Sequence, residues 1–181
     1  MFTEFILDPI VTRACASLIA VILLVGGWQK FRDLELFTAA AENYRLLSAE
    51  LVRPVALLIP AAELTAGITL LFPETCVLGA VLAAAILLTV TAAVAINLLR
   101  GIRDIDCGCG GSSSQAISWA LVARNLVLVL LAIPAAQQGI SRTLVWGDYF
   151  TLVAGVLALV GLYLCTNQLL NNSTRPLVNR R

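Results

Sequence analysis

The side chains with the most chemistry to offer lie between residues 104 and 114, where the chain reads DIDCGCGGSSS. Cys107 and Cys109 stand one glycine apart, with Asp104 and Asp106 just before them. Two thiols at that spacing can close a disulfide on each other, since Gly108 permits the tight backbone the ring needs. A bridge between such near neighbours is strained, and strained disulfides are the ones that exchange. Arg100 and Arg103 favour the thiolate, while the two aspartates oppose it. Two other readings stay open: a metal site made of both thiolates and both carboxylates, or a turn without chemistry. The metal reading needs a full donor set, and the 181-residue chain has no histidine to complete it, so no metal site is expected. Cys-x-Cys is also a less specific signal than Cys-x-x-Cys beside a thioredoxin pattern.

Cys15, Cys76 and Cys165 sit in apolar runs, where a single cysteine is ordinarily a small hydrophobe. Cys15 and Cys76 fall toward one side of those runs, and Cys107, Cys109 and Cys165 toward the other. That distribution suits a thiol relay in which Cys15 and Cys76 form a second pair. Glu63 and Arg124 are ionisable residues inside apolar runs, where a charge is expensive and faces a partner. They are expected to pair with each other, Asn97 and Asn125 adding hydrogen bonds. Such a pair either fixes helix register or forms a site for a polar headgroup, a quinone ring or a proton.

Sixty per cent of the residues are apolar and 13% are charged, with a mean hydropathy of +0.92. A soluble domain of this length cannot hide that much hydrocarbon. A net charge of +1 supplies no basic surface for nucleic acid. Apolar runs at about residues 10–28, 52–72, 76–99, 117–136 and 149–170 each approach the roughly 20 residues a bilayer requires. The first lacks the basic start and the cleavage pattern of a signal peptide. The expected fold is an all-α integral membrane protein: one bundle of about five transmembrane helices over residues 1–170, followed by a polar, disordered tail at 171–181. Between the first two runs, Leu34, Phe37, Ala41 and Tyr44 recur at helical spacing, which predicts a short amphipathic helix in the membrane interface.

Gly26-Gly27, Ala80/Ala84 and Ala154/Ala158 offer small surfaces for close helix packing. Pro54, Pro60 and Pro134 are expected to bend their helices. Lys30, Arg32, Arg45, Arg53, Arg100, Arg103, Arg175, Arg180 and Arg181 gather on one side, against Arg13 and Arg142 on the other. The positive-inside rule then places the N-terminus outside and Cys107 and Cys109 on the cytoplasmic side.

The segments GGWQKFRDLELF, ENYRLL, PAAELTAGITLLF, DIDCGCGG and ALVARNLVLVL together resemble the methylamine utilisation protein MauE family. Its members are distantly similar to DoxX-type four-helix bundles, which implies a four-helix core plus one here. The resemblance runs from about residue 18 to 131, and its most specific element is the Cys-Gly-Cys ahead of an Arg-Asn in the next apolar run. It implies a bacterial inner-membrane protein that helps mature methylamine dehydrogenase, whose small subunit is rich in disulfides and carries a tryptophan-derived quinone. It also implies a thioredoxin-like periplasmic partner of the MauD type. Cys107 and Cys109 take the redox role under this resemblance, with Lys30, Tyr44, Glu63, Arg124 and Asn125 as accompanying polar positions. Where the family usually has a bulky residue, often phenylalanine, this chain has Gly110.

The periplasmic client and the charge asymmetry pull the cysteines to opposite sides of the membrane. A loop folded back into the bundle, an import of cytoplasmic reducing equivalents, or a family that breaks the charge rule would each reconcile them. Thiol–disulfide oxidoreductase activity with a redox-active disulfide is the favoured function. A redox-inert assembly or export factor is one alternative, and a carrier built on Glu63 and Arg124 is another. No cofactor beyond the disulfide is established, and no sequence pattern supports a quinone pocket.

Overall fold

The computed structural model describes residues 8–102, 117–137 and 146–178; Cys107 and Cys109 lie outside these. The described residues form six helices: α1 (Pro9–Arg32), α2 (Leu34–Asn43), α3 (Ala49–Leu71), α4 (Cys76–Leu99), α5 (Trp119–Ala135) and α6 (Trp146–Val178). Asp8 caps α1, its side chain accepting from the Ile10 N–H at 2.9 Å, and Pro9 follows where its missing N–H is harmless. α1, α3 and α4 have 24, 23 and 24 residues, about 35 Å each, enough to cross roughly 30 Å of hydrocarbon. α5 is shorter, at 17 residues or about 26 Å. α3 runs unbroken through Pro54 and Pro60.

Four of these helices close a ring. α1 packs on α3 and α5, and α4 packs on the same two, while α1 and α4 barely touch across one diagonal and α3 and α5 share no substantial seam across the other. Neighbours run antiparallel: Gly27 of α1 lies against Pro60 of α3, and Gly67 of α3 against Ala20 and Leu24 of α1. At one end the core is rich in alanine, joining Ala16 and Ala20 to Ala66, Ala80, Ala83, Ala132 and Ala135. Such small residues let backbones come close where leucine on a helix face could equally face lipid. Two glycines take this to its limit. A Cβ on Gly67 would sit 2.7 Å from Leu24 Cγ, and one on Gly79 would sit 2.7 Å from the Leu70 backbone nitrogen. At the other end Val94, Leu98, Ile117, Leu121 and Val122 form a second core, with Tyr44 packed against it.

The outside of the ring is apolar. Trp28, Leu58, Leu71, Val81, Leu99 and Leu130 are all more than half exposed, a belt that water would not tolerate and lipid would. This is an all-α, multi-pass membrane protein. α2 lies along one end and turns Leu34, Phe37, Ala40, Ala41 and Tyr44 inward while Asp33, Glu35 and Glu42 face out, the arrangement its spacing predicts.

α6 departs from the sequence reading in two respects. It continues as helix to Val178, past the expected break near residue 170, because a polar composition does not by itself end a helix. Ala154 and Ala158 are exposed, so they form no seam within the described chain.

Candidate functional site

Lys30 lies near the end of α1 and Glu63 well inside α3. A helical side chain leans toward its own N-terminus, so the Lys30 stem reaches back over Gly26. Gly26 has no side chain to block it: a Cβ there would lie 3.9 Å from both Lys30 Nζ and Glu63 Oε2. The next residue, Gly27, draws α3 in, since a Cβ there would meet the Pro60 carbonyl oxygen at 3.1 Å. The ammonium consequently donates to both carboxylate oxygens, at 2.5 Å to Oε1 and 2.7 Å to Oε2. The two side chains are 9% and 7% exposed. Phe37 of α2 presents its ring to the same ammonium, with Nζ 5.7 Å from the centroid. Together these contacts make a neutral unit of two charges that would each be expensive alone in hydrocarbon.

The expected Glu63–Arg124 pair is therefore wrong. α3 and α5 stand across the diagonal of the ring, so the partner of Glu63 comes from the neighbouring helix α1. Arg124 instead donates to Asn125 Oδ1, at 3.3 Å from Nε and 3.1 Å from Nη2, and its guanidinium lies 5.4 Å from the ring centroid of Tyr163 on α6. Nor do the two asparagines serve Glu63. Asn97, fully buried, donates to the Ala93 carbonyl of its own helix at 3.1 Å, and its Oδ1 has no hydrogen-bond partner among the described residues.

Beside the ion pair lies a cavity of about 480 Å³, roofed by α2 and walled by α3 and α4. Val55, Ile59, Val90, Ala93 and Ile96 make its sides apolar, and Phe37 and Tyr44 close it above. Among the described lining residues, Lys30 alone carries a charge. Thr89 adds a hydroxyl whose proton goes to the Ala85 carbonyl at 2.8 Å, leaving its oxygen able to accept. The structure thus brings Lys30, Glu63 and Tyr44 to one end of the bundle. Phe37, noted in the sequence only as part of an apolar face, proves to touch the ion pair.

Cys15 and Cys76 lie at the far end. Cys15 is buried and Cys76 half-buried in the same alanine-rich core, the Cys76 thiol donating to the Ala135 carbonyl at 3.4 Å. Both are free thiols, as is the exposed Cys165. No disulfide joins the supposed second pair.

The family model of the methylamine utilisation protein MauE matches residues 8–138. The chain is 40% identical over 134 residues to the methylamine utilization protein MauE of Paracoccus denitrificans, covering 74% of this chain and 72% of that protein. It belongs to the MauE family. The MauE proteins of Paracoccus versutus and Methylophilus methylotrophus are 35% and 36% identical to it over 147 and 141 residues. Those alignments cover 77% and 74% of this chain, and 79% and 74% of the relatives. No solved structure gives a significant match. The span shared with the MauE family opens at the cap of α1 and closes just after α5, so it holds the whole ring and its ion pair and leaves α6 outside.

Proposed function

We propose that this MauE-family chain is a membrane thiol–disulfide accessory protein of methylamine utilisation, with Cys107 and Cys109 as the exchanging pair. The observation that carries the reading is the Cys-Gly-Cys segment of a MauE-family chain, linked through Ile102 and Ile117 to the end of the bundle that bears Lys30–Glu63 and Tyr44. In the exchange, a client thiolate attacks one sulfur of the Cys107–Cys109 disulfide. A second client thiolate resolves the mixed disulfide, leaving an oxidised client and a reduced loop. The client is the disulfide-rich small subunit of methylamine dehydrogenase or a similar secreted protein, and a thioredoxin-like MauD-type protein relays the exchange. The bilayer in question is the bacterial inner membrane.

Arg32, Arg45, Arg53 and Arg100 all sit at or beside the end that leads into the Cys107–Cys109 segment, while Lys30 there is spent on Glu63. Their charge favours the cytoplasmic side for that end, with the N-terminus outside. A secreted client would be served from the opposite side. One experiment addresses both points. With Cys15, Cys76 and Cys165 replaced by serine, intact cells are treated with a membrane-impermeant thiol reagent before and after mild reduction. Labelling that needs reduction supports a Cys107–Cys109 disulfide, and the side on which it occurs gives the orientation. Thiols equally reactive before and after reduction, together with normal client disulfides in the Cys107→Ser/Cys109→Ser variant, would sink the proposal.

A further inference from the structure

We propose that the cavity beneath α2 is a binding site for a lipid-soluble quinone, whose head lies against Lys30 and Phe37 and whose isoprenoid tail lies along α3 and α4. The polar end of the cavity is selective in charge. Glu63 already neutralises Lys30 through two short hydrogen bonds, so an anionic headgroup would have to compete with a buried carboxylate for the ammonium. A neutral carbonyl oxygen has no such competitor. An ammonium carries three N–H groups and Glu63 engages two, which leaves one donor for a ligand that only accepts. Phe37, whose ring lies over that ammonium, also lines the cavity and gives a planar head an aromatic edge to pack against.

The walls fit the remainder of such a molecule. Val55, Ile59, Val90, Ala93 and Ile96 are aliphatic, and the volume of about 480 Å³ falls in the range of small-molecule sites. Ile96 on α4 and Leu47 in the turn before α3 line the cavity and are 41% and 39% exposed, so the cavity opens at the surface of the bundle beside apolar side chains. Thr89 at the rim can accept a hydrogen bond from a quinol hydroxyl. The role of the quinone rests on the thiol–disulfide function proposed above. Cys107 and Cys109 lose two S–H bonds and form one S–S bond, and the quinone takes the two electrons and two protons to become a quinol.

The test uses the full chain in neutral phosphatidylcholine nanodiscs and an azido-ubiquinone photolabel, with decylubiquinone or oleate as competitor and labelled peptides mapped by mass spectrometry. Wild type and Cys107→Ser/Cys109→Ser are expected to label alike on α2 and α4. Decylubiquinone should compete and oleate should not. Ala93→Trp, which fills the cavity, and Thr89→Trp, at its exposed rim, are each expected to cut labelling at least about tenfold. The rim variant keeps the test decisive if the wall variant misfolds. Labelling that is absent, is blocked equally by oleate, or survives both tryptophans would overturn the site. Anaerobic mixing of the reduced protein with decylubiquinone tests the other half. Specific labelling without quinol formation would leave the site standing and remove the electron transfer from Cys107 and Cys109 to the quinone, whereas normal client disulfides in the Cys107→Ser/Cys109→Ser variant would remove the thiol–disulfide function and leave the site standing.

Discussion

α1 holds two helices in contrasting ways. Against α3 it presents Gly27 and the backbone of Ala20, meets Gly67 and Pro60 at backbone distance, and seals the contact with the Lys30–Glu63 pair. Against α6 it offers only a shallow side. α6 is the longest helix, with 33 residues, yet none of its described residues is buried. Trp146, Phe150, Val153, Leu157 and Leu162 point away from the ring. Composition does not explain the contrast, since both partners are apolar. In a bilayer an apolar side chain gains little by leaving lipid for protein, so adhesion comes from close backbone packing and from polar contacts. α3 has both. α6 shows no such backbone-close seam among the described residues, and it sets Tyr163 under the Arg124 guanidinium.

That contrast can be broken from either side, and the largest effect is expected at the ion pair. Glu63→Leu strands a buried ammonium and should cost about 3–5 kcal/mol, read as a lower thermal midpoint in detergent. Adding Lys30→Met to it should restore most of the loss, because a neutral apolar pair of similar volume replaces two charges. A double variant as unstable as the single one would mean that the pair does more than neutralise itself. Next comes Gly67→Val, which drives two methyls toward Leu24 and the Ala20 carbonyl. About 1–3 kcal/mol is the expected loss by the same measurement. Tyr163→Leu should cost about 0.5–2 kcal/mol in the attachment of α6 alone, seen as faster proteolysis between residues 138 and 145 with the thermal midpoint of the ring unchanged. Truncation before Trp146 is the mildest change to the ring. Residues 1–145 should keep their helical content and thermal midpoint within about 1 kcal/mol in stability, and a collapse would show that α6 supports the fold after all.

The helices of the ring were legible because each is a long, predominantly apolar run, and α2 was legible because Leu34, Phe37, Ala41 and Tyr44 keep helical spacing. The partner of Glu63 was not. Which helices are neighbours is decided by seams such as Gly27–Pro60, and nothing local to Glu63 or Arg124 reports the order of the ring. Lys30 stood at the end of the first run among other basic residues, where a lysine ordinarily marks the membrane surface and snorkels to water. The absence of a side chain at Gly26 was visible, but its purpose depends on where α3 lies. The cavity was hidden for the same reason, since it exists only once α2 folds over α3 and α4. Residues 171–178 show the converse limit: hydropathy marks where a helix leaves the lipid, not where it stops.

The Lys30–Glu63 bond also bears on how the chain enters the membrane during synthesis. Helices leaving the translocon one at a time must each partition into lipid on their own merits, and a carboxylate in the middle of a segment opposes this by roughly 2.5–3.5 kcal/mol. α1 is made first and its lysine lies close to the helix end, where it can wait with its ammonium in the headgroups. α3 has no such refuge for Glu63. The earlier helix is thus placed to act as an intramembrane docking partner for the later one, so that the two are released to lipid as a hairpin and the carboxylate never meets hydrocarbon alone.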